Sequence, residues 1–209
     1  MLQTMRSYRG MVTAPHHLAA RAGLGVLSDG GNAVEAMIAA AAAISVVYPH
    51  MNGMGGDNFW LIHAPGKPVV GIDACGGAAG KADIAFYRDQ GCDAIPSRGN
   101  LAALTVAGTV SVWLDAWEYS RDVLGGRLPL SRLLEEAAYY ADNGVAVTNT
   151  LADNTRGKLD ELKNAPRFRA TFLPGGALPE TGERFLQPRV AATLRRLGAA
   201  GRIAVQRCG

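Results

Sequence analysis

Fifteen consecutive residues, AVEAMIAAAAAISVV at 33–47, are apolar on nearly every side of the helix they favour, and they constrain this chain more than any other feature. A bilayer-spanning helix needs about twenty such residues, so this run is too short to cross a membrane and must be buried in protein instead. A helix with no polar face has to be surrounded, which makes 33–47 the expected central helix of a packed core. The residues before it agree. Asn32 is a suitable N-cap, and Glu35, three residues on, can reach back to the cap's own N–H, the reciprocal arrangement of a capping box. Gly30 and Gly31 close a preceding helix expected over 16–28, whose apolar stripe is Leu18, Ala22 and Val26, widened by Leu27.

With 48% hydrophobic and 19% charged residues, 209 residues can bury a substantial core, and 26 glycines then signal tight turns and close backbone approaches, not disorder. After Pro49 comes the glycine loop HMNGMGGDN, followed by FWLIHA and VVGIDA, two β-prone runs separated by Pro65-Gly66-Lys67-Pro68 and expected to pair as a hairpin. Gly76, Gly77 and Gly80 end the second strand. From Thr109 the pattern turns helical: VSVWLDAWEYSRDVL, then SRLLEEAAYYADNG with Ser131 as N-cap and Gly144 just past the end, then LADNTRGKLDELKN. Pro188 opens a last helix with Val190, Leu194 and Leu197 as its stripe. The aromatic residues and methionines between Val110 and Tyr140 read as packing, with no cofactor box. No repeat or linker divides the chain, so a single unit over 1–209 is expected.

The net charge of +3 comes from 21 basic and 18 acidic residues scattered along the chain, which excludes nucleic acid as an expected partner. Arg195 and Arg196, the adjacent basic pair, read as a solvated helix face. Cys75, Cys92 and Cys208 show neither a paired framework nor metal-ligand spacing, so no disulfide, metal or cofactor is expected. The opening MLQTMRSYRG lacks the apolar core of a secretory signal, and a cytoplasmic location is the expectation.

The string GMVTAPHHLAARAGLGVLSDGGNAVEAMIAAAAAISVVYPHMNGMGGDNFWLIH, from Gly10 to His63, resembles the opening of γ-glutamyltranspeptidase-family proteins in both order and spacing. Similarity continues through VVGIDACGGAAG, LTVAGTVSVWLDAW and SRLLEEAAYYADNGVAV to about Gly198. Ala-Pro-His-His-Leu, Tyr-Pro-His-Met-Asn-Gly and Leu-Thr-Val-Ala-Gly-Thr-Val are similar in particular to the family's oxamate amidohydrolases. The resemblance implies an N-terminal-nucleophile (Ntn) hydrolase: a precursor cleaved into large and small subunits, a threonine at the new N-terminus that attacks the amide, and its α-amine as base. It implies α+β architecture, a helix-rich part of a four-layer αββα sandwich with a short antiparallel hairpin. This chain would be the large-subunit portion, partnered by a missing C-terminal small subunit that carries the threonine, so no catalytic residue is assigned within it. RIAVQRCG at the end is expected to leave the family's pattern near Arg202, as a truncation or frameshift would. The implied substrate is a small-molecule amide bearing a carboxylate, such as oxamate. Glutathione hydrolase or γ-glutamyltransferase activity, or a non-catalytic truncated product, are the alternatives; a homo-oligomer is compatible with all three.

Several residues are candidates for substrate binding. Asn52, Gly53, Gly55, Gly56 and Asp57 form a loop in which glycines let backbone N–H groups approach a substrate oxygen, although the same glycines also suit a plain helix-to-strand reversal. In γ-glutamyl-processing relatives an arginine just after the Ile-Asp strand clamps the substrate's α-carboxylate with a planar fork of donors. Here Ile72-Asp73 is followed by Ala74-Cys75-Gly76, and Cys75 at the nearest matching position cannot make that ion pair. A buried cysteine there would be a small apolar filler. Arg98 and Thr105 flank NLAALTVAG; Arg98 is a candidate for the contact that Cys75 cannot make, or a solvated loop arginine. His16, His17 and His50 lie at helix and loop boundaries, where one could donate to an anionic substrate or simply pack.

Overall fold

A computed structural model describes residues 4–102, 105–165 and 167–201. Cys208 and the RIAVQRCG segment from Arg202 lie outside the described residues, as do Ala103 and Leu104 of NLAALTVAG. The chain is helix-rich α+β with a short antiparallel hairpin, the expected class. Its residues group into two compact units, 1–53 with 113–209 and 54–112, although no linker in the sequence marks either crossing.

The first unit is built on the buried alanine helix. Helix α1 (His17–Ser28) and α2 (Ala33–Val47) are joined by a turn in which Gly30 adopts φ +85°. Gly31 approaches the end of α1 so closely that a Cβ on it would lie 2.6 Å from Val26 Cγ1. Asn32 Oδ1 accepts from the N–H groups of Val34 and Glu35 at 3.0 Å, and Glu35 Oε2 accepts from Asn32 N–H at 2.8 Å, completing the expected capping box. α2 is central: Ile38, Ala42, Ala43 and Val46 are fully buried, and α1 and α5 (Leu130–Asn143) pack against it. In α1 the buried face is Ala19, Ala22, Gly23 and Val26; Leu18, expected on that stripe, is half-buried.

Around this pair lie α4 (Thr109–Leu124, in this unit from Trp113 onward), α6 (Asn149–Gly157), α7 (Leu159–Leu162), α8 (Phe168–Phe172) and α9 (Pro188–Ala200). A two-residue ribbon pairs Val145 and Ala146 with Phe185 and Arg184. Ser131 is not the cap of α5: Pro129 holds that position without a side-chain bond, and Ser131 sits inside the first turn. Gly144 does end α5, at φ +85°. The run 151–164 is divided at Lys158 into α6 and α7, and α9, which starts at Pro188 as expected, buries Ala191, Leu194 and Leu197 while Val190 is half-buried.

Glu35 is the unit's main polar tie. It is 0% exposed, and its Oε1 accepts from Leu128 N–H at 2.9 Å while its Oε2 serves the capping box. Asn32 Nδ2 also donates to Ser120 Oγ at 2.8 Å, and Gly126 leaves no room for a Cβ beside that hydroxyl. Glu35→Ala strands two part-buried N–H donors and opens a void where a fully buried side chain stood, so a loss of about 3 kcal/mol is expected, with Glu35→Gln losing clearly less because its shape and one acceptor remain. Urea-denaturation midpoints of the two variants check this.

In the second unit, β1 (Asn58–Ile62) and β2 (Val70–Ala74) pair antiparallel from Asn58↔Ala74 to Ile62↔Val70, across a turn at Gly66 with φ +72°. Helix α3 (Ile84–Asp89), capped by Asp83, follows, and the first turn of α4 completes the unit. Phe59 and Leu61 on β1 are strongly exposed. Among the described residues no helix is long and apolar enough to cross a membrane.

Candidate functional site

The hairpin register determines what meets at its open end. Because Asn58 pairs with Ala74, the residues one step beyond, Asp57 and Cys75, face each other where the strands diverge. A third segment joins them. Ala78 and Thr105 form an antiparallel bridge and Val106 N–H donates to the Gly77 carbonyl at 3.1 Å, which lays 105–108 alongside the exit of β2. This approach needs glycine at two places. A Cβ on Gly76 would fall 1.7 Å from the Val106 oxygen, and one on Gly108 would fall 2.1 Å from the Ala74 oxygen.

Asp57 is the centre of the resulting cluster. Its Oδ1 accepts from Gly76 N–H at 3.3 Å and from the Thr105 hydroxyl at 3.2 Å, and its Oδ2 lies 3.8 Å from Cys75 Sγ. Asp73 Oδ1 accepts from Cys75 N–H at 2.8 Å. The negative charge of Asp57 pushes the Cys75 thiol above its ordinary range, helped by desolvation, by Asp73 and by the thiol's bond to Asp57. That keeps the sulfur protonated at neutral pH, so Cys75 is not poised as a nucleophile. It is also exposed, which corrects the reading of Cys75 as a buried filler.

The structure therefore brings Gly56, Asp57, Cys75 and Thr105 of the expected site residues together in one unit, with Gly55 exposed just before them. Arg98 lies exposed on the segment between α3 and Thr105. Asn52 and Gly53 belong to the first unit and are exposed. Gly76, Gly108 and Thr109 were not legible as parts of the site. Their signal is a pair of glycine dipeptides, Gly76-Gly77 and Gly108-Thr109, whose meaning depends on which backbone comes close. No cluster of three metal-ligating side chains occurs among the described residues.

Within the first unit the histidines form an aromatic cluster. His16 caps α1, its Nδ1 accepting from Leu18 N–H at 3.2 Å, and stacks on His17 at 4.6 Å between centroids. Tyr48 lies 6.4 Å from His16 and 4.2 Å from His50, and both His50 ring nitrogens are buried without a protein partner. Burial lowers the His50 pKa below 6.5, and burial followed by the His17 charge lowers that of His16. The unfolded chain then binds more protons than the folded one just below pH 6.5, so stability present above that pH should fall as pH drops through the window. His50→Phe keeps the ring contact with Tyr48 and removes the titration. It should be no less stable than the parent at neutral pH and show a flatter decline below pH 6.5 in thermal melts at stepped pH.

A groove of about 560 Å³ between α5 and α9 holds none of the expected site residues. Two arginines on its wall, Arg132 and Arg195, are engaged by Asp29 and Asp142.

The family model described as gamma-glutamyltranspeptidase matches residues 19–207, so the match continues past Arg202, where a departure was expected. The oxamate amidohydrolase proenzyme of Klebsiella pneumoniae subsp. pneumoniae is 52% identical over 195 residues, covering 93% of this chain and 37% of the relative. The glutathione hydrolase-like YwrD proenzyme of Bacillus subtilis is 40% identical, covering 93% and 36%. The crystal structure of Helicobacter pylori gamma-glutamyltranspeptidase superposes with a TM-score of 0.84 at 28% identity, over 97% of this chain and 57% of that one. Cephalosporin acylase from Bacillus halodurans gives a TM-score of 0.79 at 32% identity, over 90% and 37%. The chain thus spans about a third of the length of the curated relatives it matches.

Proposed function

The chain belongs to the gamma-glutamyltranspeptidase family, and on that premise we propose that it forms the amino-terminal portion of an amidohydrolase acting on a small carboxylate-bearing amide such as oxamate. The observation that carries this reading is Cys75. At the place after the Ile72-Asp73 strand where γ-glutamyl-processing relatives have a clamping arginine, the chain has an exposed, protonated thiol beside two carboxylates. Such a position offers nothing to the α-carboxylate of a γ-glutamyl group. The 52% identity to an oxamate amidohydrolase proenzyme, against 40% to a glutathione hydrolase-like one, supports the same choice.

In this proposal the nucleophile is a threonine on a segment beyond the present residues, freed by cleavage of a precursor, with its own α-amine as base. Its hydroxyl attacks the amide carbon, ammonia leaves, and water releases the acyl group. For oxamate the balance is oxamate plus water giving oxalate and ammonium. In this proposal the substrate is bound and oriented within the second unit by the loop residues Gly55, Gly56 and Asp57, with Cys75, Arg98 and Thr105 as the further contributors.

Ammonia release from oxamate tests the reading. The product of a complete, family-length gene should release ammonia. The 209-residue chain alone should not, because its threonines, Thr109, Thr148 and Thr150 among them, are internal and lack the free α-amine that the mechanism uses as base; nor should it cleave itself, because the threonine that the cleavage frees is placed on the missing segment. Ammonia from the isolated chain, or a mass-spectrometric product beginning at one of those threonines, contradicts it.

A further inference from the structure

The Gly56 carbonyl is the most heavily bonded backbone group near the site. It accepts from Gly108 N–H at 3.1 Å, from Thr109 N–H at 2.9 Å and from the Thr109 hydroxyl at 2.7 Å. That hydroxyl also lies 3.1 Å from the Asp57 carbonyl, so it spans two consecutive peptides of the loop. Thr109 itself is 3% exposed, and its neighbour Gly108 is pressed against Ala74 with no space for a side chain. The clamp is therefore anchored on the exit of β2 and cannot follow the loop if the loop moves.

A trans peptide turns its C=O and N–H to opposite sides. With the Gly56 carbonyl held toward Thr109, the Asp57 N–H of the same peptide points the other way, and it finds no acceptor among the described residues. On the loop an added Cβ at Gly55 or Gly56 would meet nothing within 4 Å, so open space adjoins that peptide. The Asp57 carboxylate is turned to Gly76 and Thr105, whose donors disperse its charge.

We propose that Thr109 is the positioning residue of this loop: by holding the Gly56 carbonyl it aims the Asp57 N–H into the open space beside Gly55 and Gly56, where that N–H donates to a carboxylate oxygen of the substrate. This rests on the reading of the substrate as a small carboxylate-bearing amide. Thr109 touches no substrate; it acts through the Gly56–Asp57 peptide.

The test is NMR of the ¹⁵N-labelled 209-residue chain with oxamate as probe. Thr109→Ser keeps the hydroxyl and should match the parent. Thr109→Val keeps the volume but loses one of the three bonds to Gly56, so the Asp57 amide signal should move, and amide exchange at Gly108 and Thr109 and the apparent Kd for oxamate should each rise about fivefold. Gly56→Ala leaves the clamp intact and crowds the open side, so it should weaken oxamate binding while Gly108 and Thr109 keep their protection. Unchanged Asp57 signals and oxamate response in Thr109→Val overturn the proposal. If oxamate shifts no amide in the parent while Thr109→Val still moves Asp57, the carboxylate reading of the substrate falls and the aiming of the loop by Thr109 stands.

Discussion

Gly108→Ala and Gly76→Ala should each destabilise the second unit by about 3 kcal/mol or more, because in both cases the new methyl carbon must displace backbone, not a flexible side chain. The added Cβ would stand 2.1 Å from the Ala74 oxygen in the first variant and 1.7 Å from the Val106 oxygen in the second. Either way 105–108 has to separate from the exit of β2, and Asp57 then loses the Gly76 and Thr105 donors that orient it. Gly55→Ala in the same unit is the internal control. Its Cβ meets nothing within 4 Å and its φ is not in the left-handed region, so a change within about 0.5 kcal/mol is expected. Urea midpoints for the three variants, with amide exchange read on β1 and β2, separate a local steric conflict from a general intolerance of alanine in the glycine loops.

The second large effect concerns substrate choice. If Cys75 stands where the substrate's α-carboxylate would lie, as proposed, a γ-glutamyl substrate would find no guanidinium at that position, and loss of one partner of a buried ion pair typically costs about 3–5 kcal/mol. Cys75 is exposed, so solvent reduces the penalty, yet even about 2.7 kcal/mol is a hundredfold in rate. Cys75→Arg should therefore raise kcat/KM for a γ-glutamyl anilide in the complete enzyme by at least about tenfold, through KM more than kcat. The gain stays below the full hundredfold because Asp57 and Asp73, which already meet Cys75, will compete for the new guanidinium. Thiol replacement by serine, which supplies no charge, should leave the anilide rate where it was.

Much of the first unit was readable because its signals are short-range. The Asn32–Glu35 capping box, the all-round apolar α2 and the prolines and glycines at helix ends each depend on residues within one or two turns. Errors arose where a neighbouring element decides. On α9 the apolar stripe allowed Val190, but α5 comes so close, with Ser131 Cα 3.0 Å from where a Gly198 Cβ would be, that the smaller Ala191 faces inward. Ser131 is a good N-cap by residue type, yet Pro129, already extended at φ −68° and ψ 150°, takes the position two residues earlier. Helices α3 and α8 have only six and five residues, too few to show a period. The candidate site could be named in the sequence as a list of residues, not as an arrangement. Asp57, Cys75 and Thr105 could be named from motif resemblance, but their meeting follows from strand register and from a backbone approach between residues some 30 positions apart, Gly76 to Val106, which no local pattern encodes.

The most direct test of the account is the ratio of kcat/KM for oxamate to that for a γ-glutamyl anilide, measured on the complete, processed enzyme under identical conditions. The account predicts a ratio of at least about one hundred, with glutathione also a poor substrate. A ratio near or below one would show that another cation does the work of the missing arginine, and would contradict the assignment of this chain to an oxamate-type amidohydrolase.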